Sequence, residues 1–130
     1  MNITNYTDAA RVFAGLTKYP EQEELFVMSL KGCNQIKEIH FVGLGSDEAV
    51  VISTKIIARY AVTDLATGVI ICHTHPSGNP RPSKADVEQT EKLRKALRLF
   101  DIDLVDHIIL TPENKFFSFL TKAPIHYDNT

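Results

Sequence analysis

The feature that most constrains the fold is Val69-Ile-Ile-Cys-His73, a short continuous apolar run that ends on a histidine. A run of this length without polar alternation is the pattern of a strand covered on both faces. Something must lie on each side of it, so the chain has to fold in layers around this strand. The segment that follows supplies one cover. A Pro/Gly/Ser loop over 76–82 leads to Ser83, which opens a helix predicted to run to about Phe100. Val87, Thr90, Leu93, Ala96, Leu97 and Phe100 fall along one face of that helix at the helical period.

The remaining elements are read from capping, alternation and turn signals. Residues 7–16 read as a short helix capped by Thr7 and stopped near Gly15. Leu25-Phe-Val-Met-Ser-Leu30 is a strand with apolar residues on both faces, Gly32-Cys-Asn34 a hairpin turn, and Gln35–Val42 a less regular partner strand. Ser46 caps a predicted helix over about 47–62. Strands are expected at Leu104–Leu110 and Phe116–Leu120, with a turn at Thr111–Lys115 between them. The order α-β-β-α-β-α-β-β predicts an α/β (α+β) chain with a mixed β-sheet packed between helices. Its 130 residues fit one domain, 1–130, with a core over about 22–120. The polar tail 121–130 is either mobile or an interaction strand.

Composition removes several function classes. A net charge of −2 offers no basic stripe for nucleic acid. No apolar run approaches the roughly 18 residues of a membrane-spanning helix. Met1-Asn-Ile-Thr-Asn-Tyr6 has neither the basic nor the apolar region of a secretory signal. Cys33 and Cys72 are spaced neither as a zinc pair nor as a disulfide framework, so reduced thiols and a cytoplasmic location are expected.

His73 and His75 stand at i and i+2 where the buried strand ends, so their side chains leave from one face. Two neutral imidazoles at that separation can meet one ion at about 2.0–2.1 Å. A strand-loop-helix corner can return Asp86, in the first turn of the helix, over the two rings. Two histidines and an aspartate with a fourth position left for water are the donors of a catalytic zinc site. Ser83-Lys-Ala-Asp86 also reads as a capping box, with Ser83 as N-cap and Asp86 three residues on. On spacing alone both readings stand. His107, after Asp106 in a strand, reads as a satisfied core or edge histidine, with a contact behind a metal ligand as the second reading. His40 and His126 have no partner visible in the sequence, and Cys72 alternates to the face opposite His73.

The whole stretch His73-Thr-His75-Pro-Ser-Gly-Asn-Pro-Arg-Pro-Ser83-Lys-Ala-Asp86 resembles the metal motif of the JAB/JAMM (MPN) metalloprotease fold, in its RadC-like version. Val105-Asp-His-Ile-Ile109 and Phe117-Ser-Phe119 resemble that family's closing strands. The resemblance implies a JAB/MPN-like (cytidine-deaminase-like) architecture, with Zn2+ held by His73, His75 and Asp86. It also implies a glutamate on an early strand as general base. Glu24 is the expected one, since it shares a face with Phe26, Met28 and Leu30 while Glu23 points the other way. The zinc would acidify its water, Glu24 would carry the proton to the leaving amine, and Ser83 would donate a hydrogen bond to the oxyanion. The substrate class implied is a peptide or isopeptide amide.

The sequence departs from the family at three places. Ser53-Thr-Lys-Ile56 stands where a His-Pro-Arg-Glu signature is usual, Thr74 where an asparagine is usual, and Asp101 where a glycine is expected. A helix-hairpin-helix region found in full-length relatives has no counterpart in these residues. Two other function classes therefore accompany the hydrolase reading: a catalytically silent MPN-type binding module, and a RadC-type factor associated with DNA repair. The sequence names neither the substrate nor the oligomeric state.

Overall fold

A computed structural model describes residues 2–18, 21–45, 52–113 and 115–126. Six strands, β1 (Glu24–Lys31), β2 (Gln35–Leu44), β3 (Gly68–Thr74), β4 (Asp103–Leu110), β5 (Lys115–Ser118) and β6 (Ala123–His126), form one sheet in the order β2-β1-β3-β4-β5-β6. The apolar run Val69–His73 falls in β3, which lies inside the sheet between β1 and β4. β3 and β4 run parallel, whereas the other neighbouring pairs are antiparallel, so the sheet is mixed. The parallel pair is connected through a helix because a hairpin cannot return a strand in the same direction.

Among the described residues three α-helices cover the two faces: α1 (Tyr6–Ala14), α2 (Thr54–Thr63) and α3 (Lys84–Arg98). Alternation along the strands decides which residue meets which helix. Phe26, Met28 and Leu30 of β1 join Ile70, Cys72, Ile108, Leu110 and Phe116 against Ala9, Ala10 and Phe13 of α1. Leu25, Val27, Val69 and Ile71 face the other way, onto Ile57 and Ala61 of α2 and Leu93 and Leu97 of α3. This is the predicted sheet packed between helices, in an arrangement consistent with a JAB/MPN-like fold. Among the described residues no helix is long and apolar enough to cross a membrane.

Several boundaries differ from expectation, each for a local reason. α1 is capped by Asn5, not Thr7; the Asn5 side chain accepts from Asp8 N–H at 2.9 Å. In the β1–β2 turn, Cys33 and Asn34 have φ of 63° and 54°, a conformation Asn tolerates well. Ser46 and the start of the helix predicted from 47 lie outside the described residues; α2 begins at Thr54 under a Ser53 cap. α3 stops at Arg98, so Phe100 falls beyond it, and both Val87 and Phe100 are about half exposed. Asp101, where a family glycine was expected, has φ 58°, so that expectation marked a genuine left-handed turn. Phe119 and Leu120 belong to a turn rather than to β5, and residues 123–126 pair with β5, which makes part of the tail a strand.

Polar side chains also fix distant segments. His40 does have a partner: its Nε2 lies 2.7 Å from Asp64 Oδ2, which also accepts from Ser29 Oγ at 2.7 Å. This ties β2 and β1 to the end of α2. On the outer face of α3, Arg94 pairs with Glu91 and Arg98 with Asp103, all well exposed, so these contribute little.

Candidate metal centre

The site forms where β3 ends and α3 begins. β3 carries His73 on the same face as Ile71 and Leu25, so the ring emerges above the α2/α3 layer. The chain then leaves the sheet at His75, whose N–H donates to Leu110 O at 2.8 Å. Gly78, at φ +87°, makes the loop turn that a Cβ would strain. The same turn presents Asn79 O to His75 Nδ1 at 2.8 Å. A carbonyl can only accept, so His75 Nδ1 carries the hydrogen and its Nε2 keeps a lone pair.

Asp86 arrives from the first turn of α3. Ser83 N–H donates to Asp86 Oδ2 at 2.8 Å and Asp86 N–H donates to Ser83 Oγ at 3.0 Å, a complete capping box. The same Oδ2 lies 3.6 Å from His73 Nε2 and 3.7 Å from His75 Nε2. The capping box and a place in a possible ligand group, which competed in the sequence, are therefore compatible: the cap holds the carboxylate in place over the rings. His73, His75 and Asp86 together form a group that could hold a metal ion.

The donor set fits zinc. Bonds of about 2.0–2.1 Å around a tetrahedral ion separate its ligand atoms by about 3.3–3.4 Å. Here the two Nε2 atoms are 2.9 Å apart and the oxygen stands 3.6 and 3.7 Å from them, close to that edge length. Both Nδ1 atoms are already engaged elsewhere, so two ring nitrogens and a carboxylate oxygen converge on one point that a cation would neutralise.

Charge follows the same geometry. Burial pushes the Asp86 carboxyl up, but His73, His75 and the Ser83 N–H outweigh it and hold it far below the ordinary range. Burial pushes His75 down, while Asp86, Asn79 O and Glu23 together lift it above the ordinary imidazole value. His107, wholly buried, is held well below it, first by loss of water and then by the His73 ring.

The expected glutamate is not brought to this group. Leu25 is the residue of β1 that sits opposite His73, so Glu24 points to the other face with Phe26 and Met28. Its carboxylate accepts from Lys18 N–H at 3.0 and 3.3 Å, and its charge acts on Cys72. Glu23 is the one on the site's side, near enough that its charge raises the His75 pKa. The alternation read from the sequence was sound; the face was misassigned because nothing in one strand says which side its neighbour's histidine takes.

Two further residues join the site. Buried His107 in β4 places Nε2 2.7 Å from His73 Nδ1, and its Nδ1 lies 2.7 Å from Thr90 Oγ1. Both readings of His107 therefore hold: it is a buried histidine with both ring nitrogens paired, and one of its partners is His73. The available sign was a histidine inside an otherwise apolar strand, with Thr90 one helical turn beyond Asp86. Cys72 is buried on the opposite face, where loss of water pushes its thiol up, as its position in the strand implied.

Comparison with known proteins agrees with this geometry. A family model described as the RadC-like JAB domain matches residues 3–124. A UPF0758 protein of Clostridium botulinum (strain Langeland) is 39% identical over 108 residues, covering 83% of this chain and 47% of its own. A UPF0758 protein of Flavobacterium johnsoniae is 30% identical over 121 residues, covering 93% of this chain and 52% of its own. The chain spans about half the length of these curated relatives. With nearly every residue covered and the histidines and aspartate gathered at one corner, the chain belongs to the RadC-like JAB domain family.

Proposed function

We propose that this domain is a zinc-dependent hydrolase of the cytoplasm that cleaves a peptide or isopeptide amide bond. The observation that carries this reading is the convergence of His73 Nε2, His75 Nε2 and Asp86 Oδ2, each held from behind by a hydrogen bond. Bound there, zinc would polarise a carbonyl and lower the pKa of a water from 15.7 towards about 7.

The chain's own groups do the rest. Glu23 takes the role expected of Glu24: its carboxylate holds the proton lost by the attacking water and returns it to the departing nitrogen. Ser83 Oγ accepts from the Asp86 N–H, which leaves its hydroxyl proton to donate to the developing oxyanion. One such donor is typically worth about 3–4 kcal/mol.

The test is a metal assay followed by a screen of peptide and isopeptide substrates on the zinc-loaded protein, with Glu23→Gln as the blank. The reading expects stoichiometric zinc in both proteins and turnover in the wild type alone. A wild type that binds no zinc would point instead to the binding module, and a fully active Glu23→Gln would remove Glu23 from the mechanism.

A further inference from the structure

The polarity of the hydrogen bonds behind His73 is set by a single main-chain carbonyl. Thr90 Oγ1 lies 2.6 Å from Asp86 O, and a carbonyl only accepts, so the threonine proton points there. Thr90 Oγ1 must then accept from His107, whose Nδ1 is 2.7 Å away and therefore carries the hydrogen. A neutral imidazole has a single N–H, so His107 Nε2 offers a lone pair. His73 Nδ1, 2.7 Å from it, has to be the donor, which leaves His73 Nε2 as a lone pair facing His75 and Asp86. Behind His73, reversing any one of these bonds would set two donors or two acceptors against each other; in front of it the Nε2 lone pairs of His73 and His75, 2.9 Å apart, stand together at the point a cation would occupy.

The ring of His107 is also locked in place. It lies flat on Phe119, with centroids 4.3 Å apart and planes 4° from parallel, and it is fully buried. The Phe119 turn is itself held by buried Asp106, which accepts from Ser118 Oγ at 2.6 Å and Leu120 N–H at 3.0 Å. The circuit closes on the site, because Asp86 supplies both the carbonyl that starts it and a ligand oxygen. His75 has a simpler support, one bond to a loop carbonyl.

We propose that Thr90 and His107 are positioning residues that fix His73 in the tautomer able to bind metal and couple it to the helix turn carrying Asp86. The proposal rests on the metal-centre reading for its purpose, although the proton order can be read without metal. Losing such support typically costs 10–100-fold in metal affinity.

Three measurements test it. Zinc affinity is measured by chelator competition for His107→Phe, which keeps a ring on Phe119 but no acceptor, and for His107→Gln, which offers an acceptor to His73 and a donor to Thr90. The relay predicts a loss of about 10–100-fold for Phe and a clearly smaller loss for Gln; a merely structural ring predicts the reverse order, which would overturn it. Should either variant fail to fold, Thr90→Val is expected to weaken zinc binding and Thr90→Ser to preserve it, with equal affinities counting against the relay. Nitrogen-15 correlation spectra of the metal-free wild type should show hydrogens on Nδ1 of both His73 and His107. A hydrogen on His73 Nε2 would sink the relay. A wild type without zinc affinity would sink the metal reading instead, and the spectra would still decide the proton order.

Discussion

The two faces of the sheet are made from the same alternating strands, yet they end differently. On the α1 side the apolar layer runs from Leu30 through Met28 and Phe26 to Cys72 and Leu110, closed by Phe13 and Phe116. On the α2/α3 side an equally dry layer of Val27, Val69, Ile71, Leu93 and Leu97 gives way, at the end of β3, to His73, His107, Thr90 and Asp86. All four are buried, and each has a hydrogen-bond partner. Burying polar groups is tolerable only when they are so paired, and an incompletely paired set would cost several kcal/mol. One face therefore gathers His73, His107, Thr90 and Asp86 at its end, whereas the other buries its polar groups, Glu24, Asp106 and Ser118, apart from them. Glu23, just before β1, and Glu24, its first residue, fall one on each side of that division.

The sharpest way to break the comparison is to neutralise those glutamates one at a time. Glu23→Gln is expected to lower hydrolysis by about 10²–10⁴-fold, the usual worth of a general base. Glu24→Gln should leave turnover nearly intact and instead weaken the tie to Lys18 N–H, lowering stability by about 1–2 kcal/mol in a urea titration. Equal losses of activity would mean that the division between faces does not separate chemistry from support.

Phe13→Ala probes the dry face. The side chain is fully buried against Phe26, so a loss of about 3–5 kcal/mol in unfolding free energy is expected. Zinc bound per folded molecule should not change, and a change would show the two faces to be coupled.

On the polar side, pH is the lever. The raised His75 pKa means that its proton is held at a higher pH than an ordinary imidazole's value of about 6.5. Protons compete with metal, so zinc affinity should fall by about tenfold per unit below that pKa, measured by competition between about pH 5.5 and 7.5. The metal-free protein has the opposite sign. Protonated His75 adds stability that is present below the unfolded pKa and is lost as pH rises through the folded one. The smallest effect is expected for Leu99→Ser at the exposed end of α3, within about 0.5 kcal/mol in the same urea titration and silent in both assays.

The mixed sheet between helices and the candidate ligand group His73, His75 and Asp86 could be read from the sequence. A short unbroken apolar run rich in β-branched residues and followed by a Pro/Gly loop fits an inner strand, so β3 and the helix after it were legible. His73, His75 and Asp86 were legible because they lie within one strand-loop-helix corner, where spacing translates directly into position. The remaining placements involve residues distant in the chain. A period of two tells that Glu24 sides with Phe26 and Glu23 against it, but which pair faces His73 depends on the register that sets Leu25 opposite it. His107 became part of the site because the parallel pairing of β4 with β3 sets it opposite Ile71, on the face of His73. Local sequence fixes alternation and caps, whereas cross-strand register is a property of the assembled sheet.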